Sequence, residues 1–445
     1  MSCMLLCKQQ PSIMTDTICA LATAPGGALG IIRVSGSHAF PIVSSLCSVP
    51  CDSVAANTTH FTRIIVRDAV SPHQEVIDEA MVTVFRAPHS YTGEDSVEIS
   101  CHGSRYILNK VLELLVQNGC RMAQRGEFTM RAYLNGKMDL SQAEAVADLI
   151  ASSNRDSHKL AMNQLRGGIS TELSRLREQL LRLTSLLEPE LDFSDHEDLE
   201  FADRTELLQI AQRIDSHINR LAASFEAGNA LKNGIPVAII GAPNVGKSTL
   251  LNALLGEERA IVSNIQGTTR DAIEDTINLQ GITFRFIDTA GIRHTSDAIE
   301  QQGIQRSMAA VQRARIILMM TEPGVPYPAV EVRDDQTLIQ IENKTESFQA
   351  KYGIGLDALK KQLVASVPSF SEGDVIVTNG RHYDALCRAQ VSIRQVLAGL
   401  NDGLSGDLLS ESLRETLDIL AEITGGQITP QETLNNIFSH FCVGK

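Results

Sequence analysis

The chain has 445 residues, 43% of them hydrophobic and 21% charged, which is more than one compact core can organise and suits about two to four folded domains. Its formal charge of −14 excludes broad, sequence-independent nucleic-acid binding, because that affinity comes from Lys and Arg neutralising phosphates; an RNA contact has to be local or shared with a partner. No run is long and apolar enough for a membrane span, and the apolar part of "MSCMLLCKQQ" is too short for a signal peptide, so the sequence predicts a cytoplasmic protein without membrane attachment.

Residues 1–135 alternate apolar runs with Gly-marked turns, which predicts an α+β domain. "TICALAT", "LGIIRVS", "FTRIIVRD", "EAMVTVF" and "SVEISC" read as strands, and "RYILNKVLELLVQNG" reads as a helix closed by Gly119. The nine cysteines are dispersed rather than dense. Cys3/Cys7 and Cys47/Cys51 lack the second Cys or His pair of a zinc site and read as reduced thiols.

Residues 136–230 turn helical. Ser141 and Glu144 have capping-box spacing, and Leu173, Leu176, Leu180, Leu183 and Leu187 form an apolar stripe running to Pro189. Leu207, Ile210, Ile214, Ile218, Leu221 and Phe225 form a second stripe, beyond the acidic connection "LDFSDHEDLEF". From 231 to 368 short apolar strands alternate with helical segments, the pattern of a parallel sheet covered on both faces. Residues 369–445 are helical again: Leu409, Leu413, Leu417, Leu420 and Ile423 share a face up to Gly425 and Gly426. "TPQE" then predicts a last helix with Thr429 as cap, Pro430 at its first position and Glu432 completing the box. The expected fold class is multidomain α/β and α: an N-terminal α+β domain, then a helical domain interrupted by an inserted P-loop α/β domain.

"GAPNVGKS" carries the chemistry. It follows the strand "PVAII" and precedes the helix "TLLNALLG", the setting a phosphate-binding loop requires, with Gly241, Gly246, Lys247 and Ser248 in register. Glycines let backbone N–H groups close around a β-phosphate, Lys247 reaches the β/γ oxygens and the Ser248 hydroxyl ligates Mg²⁺. Downstream, "FRFIDTAG" sets Asp288 at a strand end to hold Mg²⁺ through water, with Thr289, Ala290 and Gly291 behind it. "GTTRD" offers Thr268 and Thr269 in a loop able to close over a nucleotide, and "NKTE" sets Asn343 and Lys344 after the strand "TLIQI". In this order the segments resemble a GTPase domain rather than a generic ATPase.

Three departures bear on nucleotide chemistry. Glu346 stands where a guanine-reading motif normally ends in Asp, which predicts weakened guanine selection. The stretch from "TEPG" to "GLDALKKQL" is short, and "QAK" at 349–351 replaces "SAK", which predicts a trimmed helix or edge strand. Ile292 follows Gly291 where many small GTPases carry a water-orienting Gln, leaving Asp297 and Glu300 as candidates for that task.

A P-loop with Asn244, a "GTTRD" switch, a hydrophobic residue after "DTAG", an α/β insertion in a helical domain and a terminal Cys-x-Gly-Lys together resemble the MnmE (TrmE) family of tRNA-modification GTPases. "EFTMRAYLNGKMDLSQAEA", "GEDSVEISCHG" and "FCVGK" are similar to its N- and C-terminal signatures, so the resemblance spans nearly the whole chain. It implies a homodimer whose GTPase domains meet across their nucleotides, with K⁺ in the role an arginine finger plays elsewhere. Asn244 would ligate K⁺ with Ser263, Ile265 and Thr268; Ser248 and Thr269 would hold Mg²⁺; Glu300, through water, would orient the nucleophile. Val245, Gly246, Lys247, Thr249, Asn264, Gln266 and Gly267 would surround GTP, with Asn343, Lys344 and Glu346 toward the base.

The same resemblance implies that the N-terminal domain binds a reduced folate, 5-formyl- or methylene-tetrahydrofolate, through Arg33, Glu98 and Lys137, joined by the terminal Lys445. Taken alone, Arg33 reads as a strand-end charge, Glu98 as a solvent-facing strand residue and Lys137 as a loop cation. "TAPGGALG" is a residue shorter than the family's Gly-rich loop and lacks its charged residue. Cys442 has the position of a prenylated cysteine, but Val443, Gly444 and Lys445 do not complete that box; beside the folate it becomes a candidate catalytic thiol. The implied reaction installs an aminomethyl or carboxymethylaminomethyl group on C5 of the wobble uridine of tRNA, with the FAD-dependent MnmG (GidA) in a heterotetramer or larger complex. Two other readings are an RNA-binding regulatory or ribosome-assembly GTPase, and a folate-dependent transferase with a vestigial GTPase domain.

Overall fold

The structure is a computed structural model that describes residues 16–66, 75–192, 204–258, 275–287, 308–367, 374–426 and 430–444. It divides into two compact units, one of residues 1–147 with 424–445, the other of residues 148–423.

The first unit is built on a six-stranded sheet in the order β3-β4-β5-β2-β1-β6. Its strands are β1 (Ile18–Leu21), β2 (Leu29–Ser35), β3 (Thr58–Val66), β4 (Glu75–Phe85), β5 (Ser96–His102) and β6 (Arg121–Met122). Alternation decides the faces. Ile32, Val34, Val97 and Ile99 are fully buried beneath α1 (Ala39–Leu46) and α2 (Arg105–Gln117). Arg33 and Glu98, directly opposite each other across β2 and β5, point the other way. That second face meets α3 (Glu127–Leu134), whose Phe128 is buried with Ile18 and Ala20. α4 (Leu140–Ala151) and α13 (Gln431–Ser439) pack on α3 through Met130, Leu140, Leu434, Phe438 and Phe441.

Two expected caps are corrected. Asp139 and not Ser141 caps α4: its Oδ1 accepts from Gln142 N at 2.9 Å, and Gln142 Oε1 accepts from Asp139 N at 2.9 Å. Ser141 lies inside the helix, fully buried, and its Oγ donates to Asp139 Oδ1. The reciprocal box was available two residues earlier because Asp also caps and Gln also reciprocates. Pro430 is the N-cap of α13 rather than its first helical residue, with φ −54° and ψ 140°. Thr429 and the side chain of Glu432 lie outside the described residues.

In the second unit, α5 (Arg155–Leu165), α6 (Gly168–Asp192), α7 (Arg204–Ala223) and α8 (Phe225–Asn233) precede a five-stranded sheet. α11 (Gly380–Asn401) and α12 (Gly406–Thr424) follow it. The leucine and isoleucine stripes of α6, α7 and α12 close one core together with α11, whose Ala385, Leu386, Ala389, Ile393, Val396 and Leu400 are buried. Phe225 does not end the α7 stripe; it opens α8 and stacks on Tyr383 at 4.5 Å between ring centroids.

The sheet has the order β11-β10-β7-β9-β8. It comprises β7 (Ile235–Gly241), β8 (Asp275–Leu279), β9 (Ile282–Phe286), β10 (Ile316–Thr321) and β11 (Thr337–Glu342), with only β8 antiparallel. α9 (Lys247–Glu258) follows β7, and α10 (Leu356–Ala365) follows β11. Parallel β10 and β11 are joined by residues 322–336, which form neither helix nor strand. A parallel crossover usually carries a helix; its absence here is the trimming expected from the short "TEPG" to "GLDALKKQL" stretch.

Candidate functional site

The chain leaves the buried strand β7 at Gly241 (φ 154°), turns through Asn244 (φ 63°) and Gly246 (φ 98°), and enters α9 at Lys247. Glycine is required twice on steric grounds: a Cβ on Gly241 would strike Met320 O, and one on Gly246 would strike the Asn343 amide. Val245 is buried in the sheet core, anchoring the middle of the loop, while Asn244 and Thr249 are exposed and Ser248 is half-buried in the first turn of α9. Lys247 Nζ donates to Gly241 O and Ala242 O, both at 2.8 Å, so its ammonium hangs over the loop's own carbonyls. Burial lowers its pKa, because the charge is poorly solvated there. An oligophosphate fits: loop N–H groups, a helix N-terminus and an under-solvated cation meet at one place.

Asn343, 5% exposed at the end of β11, braces this loop from outside. Its Nδ2 donates to Val245 O at 2.8 Å and its Oδ1 accepts from Ala350 N at 3.0 Å, tying the phosphate loop to the "QAK" turn. Lys344 (φ 63°) pairs with Glu322, and Glu346 is exposed in a loop shaped by Thr345 Oγ1, which accepts from Phe348 N at 3.1 Å. Ser263, Asn264, Ile265, Gln266, Gly267, Thr268, Thr269, Asp288, Thr289, Ala290, Gly291 and Glu300 lie outside the described residues, as does Lys445.

In the first unit Arg33 Nε and Nη2 both donate to Glu98 Oε1, at 2.9 and 2.8 Å. The guanidinium stands over the rings of Tyr91 and Phe128, 5.2 and 5.6 Å from their centroids. The chain's end comes to it: Arg33 Nη1 donates to Gly444 O at 3.4 Å, Gly126 N donates to Cys442 O at 3.3 Å, and Arg125 and Val443 form a β-bridge. Lys137 is exposed and donates to Pro88 O at 2.8 Å, on the segment that carries Tyr91. Arg33, Glu98 and Gly444 are thus brought together, and the exposed Cys442 lies two residues from Gly444.

Sequence reasoning missed the charged knot beneath this site. Arg131, 2% exposed, donates to Asp16 O and Oδ1 at 2.9 and 2.7 Å, to both Glu94 oxygens at 3.1 and 3.2 Å, and to Glu127 Oε1 at 3.1 Å. Arg121 adds two bonds to Glu127, at 2.6 and 3.1 Å. Burial alone would raise the Glu127 pKa, yet Arg121, the Gln124 N–H and Arg131 hold it below the usual carboxylate range. The available signal was that Glu94, Glu127 and Arg131 all stand in "GEDSVEISCHG" and "EFTMRAYLNGK".

A family model described as "MnmE helical domain" matches residues 140–442, and one described as "GTP-binding protein TrmE N-terminus" matches residues 17–137. The chain belongs to the MnmE family. Curated proteins named "tRNA modification GTPase MnmE" align over almost the full length. That of Phocaeicola vulgatus is 50% identical over 97% of this chain and 99% of its own. That of Porphyromonas gingivalis is 48% identical over 98% and 99%, and that of Flavobacterium johnsoniae 45% over 97% and 100%. Among solved structures, a crystal structure of an Aquifex aeolicus Era variant bound to GDP.AlF4- is 25% identical over 35% of this chain and 65% of that chain. Its TM-score of 0.22 is too low to support any inference. The GTPase sheet lies in the chain between helices α5–α8 and α11–α12, and the fold is the expected multidomain arrangement. No helix among the described residues is long and apolar enough to cross a membrane.

Proposed function

We propose that this chain hydrolyses GTP in the modification of tRNA, as a cytoplasmic homodimer activated by K⁺ and working with a FAD-dependent MnmG-type partner on the wobble uridine. The observation that carries the reading is an intact phosphate loop in a chain half identical, over 97% of its length, to curated tRNA modification GTPases. Lys247 Nζ exchanges its two carbonyl partners for β/γ-phosphate oxygens when GTP binds. Asn343 keeps the loop in shape without touching phosphate.

The residues fit the two cations by donor chemistry: an exposed amide at Asn244 and a half-buried hydroxyl at Ser248 are hard oxygen donors beside the loop. Asn244, Ser263, Ile265 and Thr268 would hold K⁺, and Ser248 and Thr269 Mg²⁺; bound there, the cations supply positive charge to the triphosphate oxygens as the phosphoryl group transfers. Arg33, paired with Glu98 and standing over the rings of Tyr91 and Phe128, suits a flat polar heterocycle such as reduced folate, with Glu98, Lys137, Lys445 and the Cys442 thiol as further candidates. The nucleotide-proximal roles of Glu300 and Asp288 belong to the same proposal.

The test is GTP turnover by the purified protein in KCl and in NaCl at equal ionic strength. Strong potassium dependence is expected. Slow turnover in both salts with GTP still bound would overturn the K⁺ account and favour a switch GTPase that carries out no modification.

A further inference from the structure

Arginines gather at the end of the GTPase sheet opposite the phosphate loop. Pro236 in β7 pairs with Arg285 in β9, and Arg315, just before β10, donates its backbone N–H to Pro236 O at 2.9 Å. Thr337 N donates to Arg315 O at 2.9 Å, which brings the start of β11 to the same level. Here a cavity of about 240 Å³ is lined by Arg285, Arg313, Arg315 and Arg333, against two carboxylates, Glu226 and Asp335. At about 3.3 Å per strand residue, Pro236 lies roughly 17 Å from Gly241, so the cavity is distinct from the nucleotide site.

The ion pairs inside it are uneven. Arg333 holds Asp335 with two bonds, at 2.9 and 3.1 Å. Arg315 Nη1 stands 3.4 Å from Glu226 and 3.6 Å from Asp335, and Glu226 is 71% exposed, so Arg315 is matched to a largely solvated partner that a better anion can displace. The cavity has two more cations than carboxylates in a chain whose formal charge is −14. Guanidinium forks match phosphate oxygens in geometry as well as charge.

We propose that this cavity binds phosphate groups and receives backbone phosphates of RNA, an inference that rests on the reading of the chain as acting on tRNA. An acidic protein offers a polyanion few approaches, and this cluster supplies the local positive field such an approach needs. Its four guanidiniums, drawn from three segments with Arg313 and Arg315 on the same one, suit a strand passing across it.

The test is binding of a fluorescent tRNA anticodon stem-loop to the full chain with GDP saturating the phosphate loop, read by anisotropy across a salt series. Arg315→Glu/Arg333→Glu is compared with Arg175→Glu/Arg182→Glu, a charge-matched control on exposed arginines of α6. The cavity variant is expected to bind about tenfold or more weakly, with the slope of log affinity against log salt reduced by roughly one per arginine, while the control stays near wild type. Arg315→Lys/Arg333→Lys should recover most of the binding; unchanged GTP turnover and melting temperature verify folding, and if the Glu variant does not fold, Arg333→Gln replaces it. Equal loss in the control, or no loss in the cavity variant, overturns the proposal. Calorimetry with pyrophosphate separates the sources: pyrophosphate binding lost in a variant that keeps tRNA assigns the cavity to free phosphate and overturns the RNA assignment. Wild type that binds no stem-loop even at low salt brings down the tRNA reading itself, a result distinct from wild-type binding that the cavity variant leaves intact.

Discussion

Asn343 and Glu127 carry the sharpest expectations at the scale of single residues. Asn343→Ala removes two buried hydrogen bonds that hold the phosphate loop to the turn at Ala350. At about 1 kcal/mol each, the loss is about 2 kcal/mol shared between stability and nucleotide binding, so GDP affinity and the urea midpoint should both fall; both unchanged would remove the brace. Glu127→Gln removes the carboxylate that Arg121 and Arg131 share, leaving both arginines their bonds to Asp16 and Arg131 its bonds to Glu94, which should cost about 2 kcal/mol at neutral pH. Because the folded pKa of Glu127 is depressed, its contribution is present above the unfolded value near 4.3 and disappears as pH falls through the lower folded value. The gap between wild type and Glu127→Gln in denaturant unfolding should therefore narrow steadily below about pH 4; a gap that stays constant contradicts it. The phosphate loop was legible because phosphate contact fixes residue types at consecutive positions. Arg131 was not, since its acidic partners lie 4, 37 and 115 positions away and only folding unites them.

Elements were legible where burial is one-sided. Of the first unit's strands, β2 to β5 alternate over most of their length and were readable, β1 was readable as a short apolar run and the two-residue β6 was not; α11 interleaves Ala385, Ala389, Ser392 and Gly399 among its larger buried residues and so shows a diluted stripe. Caps were less legible than helices, since overlapping pairs such as Asp139/Gln142 and Ser141/Glu144 both satisfy the spacing. One cap reaches further than its own helix. Asn154 Oδ1 caps α5 by accepting from Ser157 N at 2.7 Å, while its Nδ2 donates to Thr283 Oγ1 of β9 at 2.7 Å. Thr283→Val should keep the cap and lose only the link, about 1 kcal/mol, whereas Asn154→Ala should lose both, about 2 kcal/mol. Denaturant curves decide it: no loss for Thr283→Val would show that the link contributes nothing, and equal losses for the two substitutions that the cap contributes nothing.

Across the whole molecule, the sequence marks a helix stop at Gly425 and Gly426, but the apolar stripes on its two sides are alike and give no sign that contacts change partner there. Yet residues up to Ile423 belong with the second unit, and those from Thr424 with the first. There Phe438 and Phe441, 2% and 4% exposed, close a cluster with Met130, Leu140 and Leu434. Phe441→Ala should cost the first unit about 3–5 kcal/mol, read as an earlier thermal transition that leaves the second unit's transition in place. This return of the chain also sets an order of events on the ribosome. The hydrophobic face around Met130 and Leu140 emerges early, but the segment that covers it is translated only after all of residues 148–423. At about 5–20 residues per second that is an interval of roughly 15–55 s. Throughout it the larger unit is free to fold, while the smaller one holds an uncovered apolar surface, the state in which chaperones capture a nascent chain.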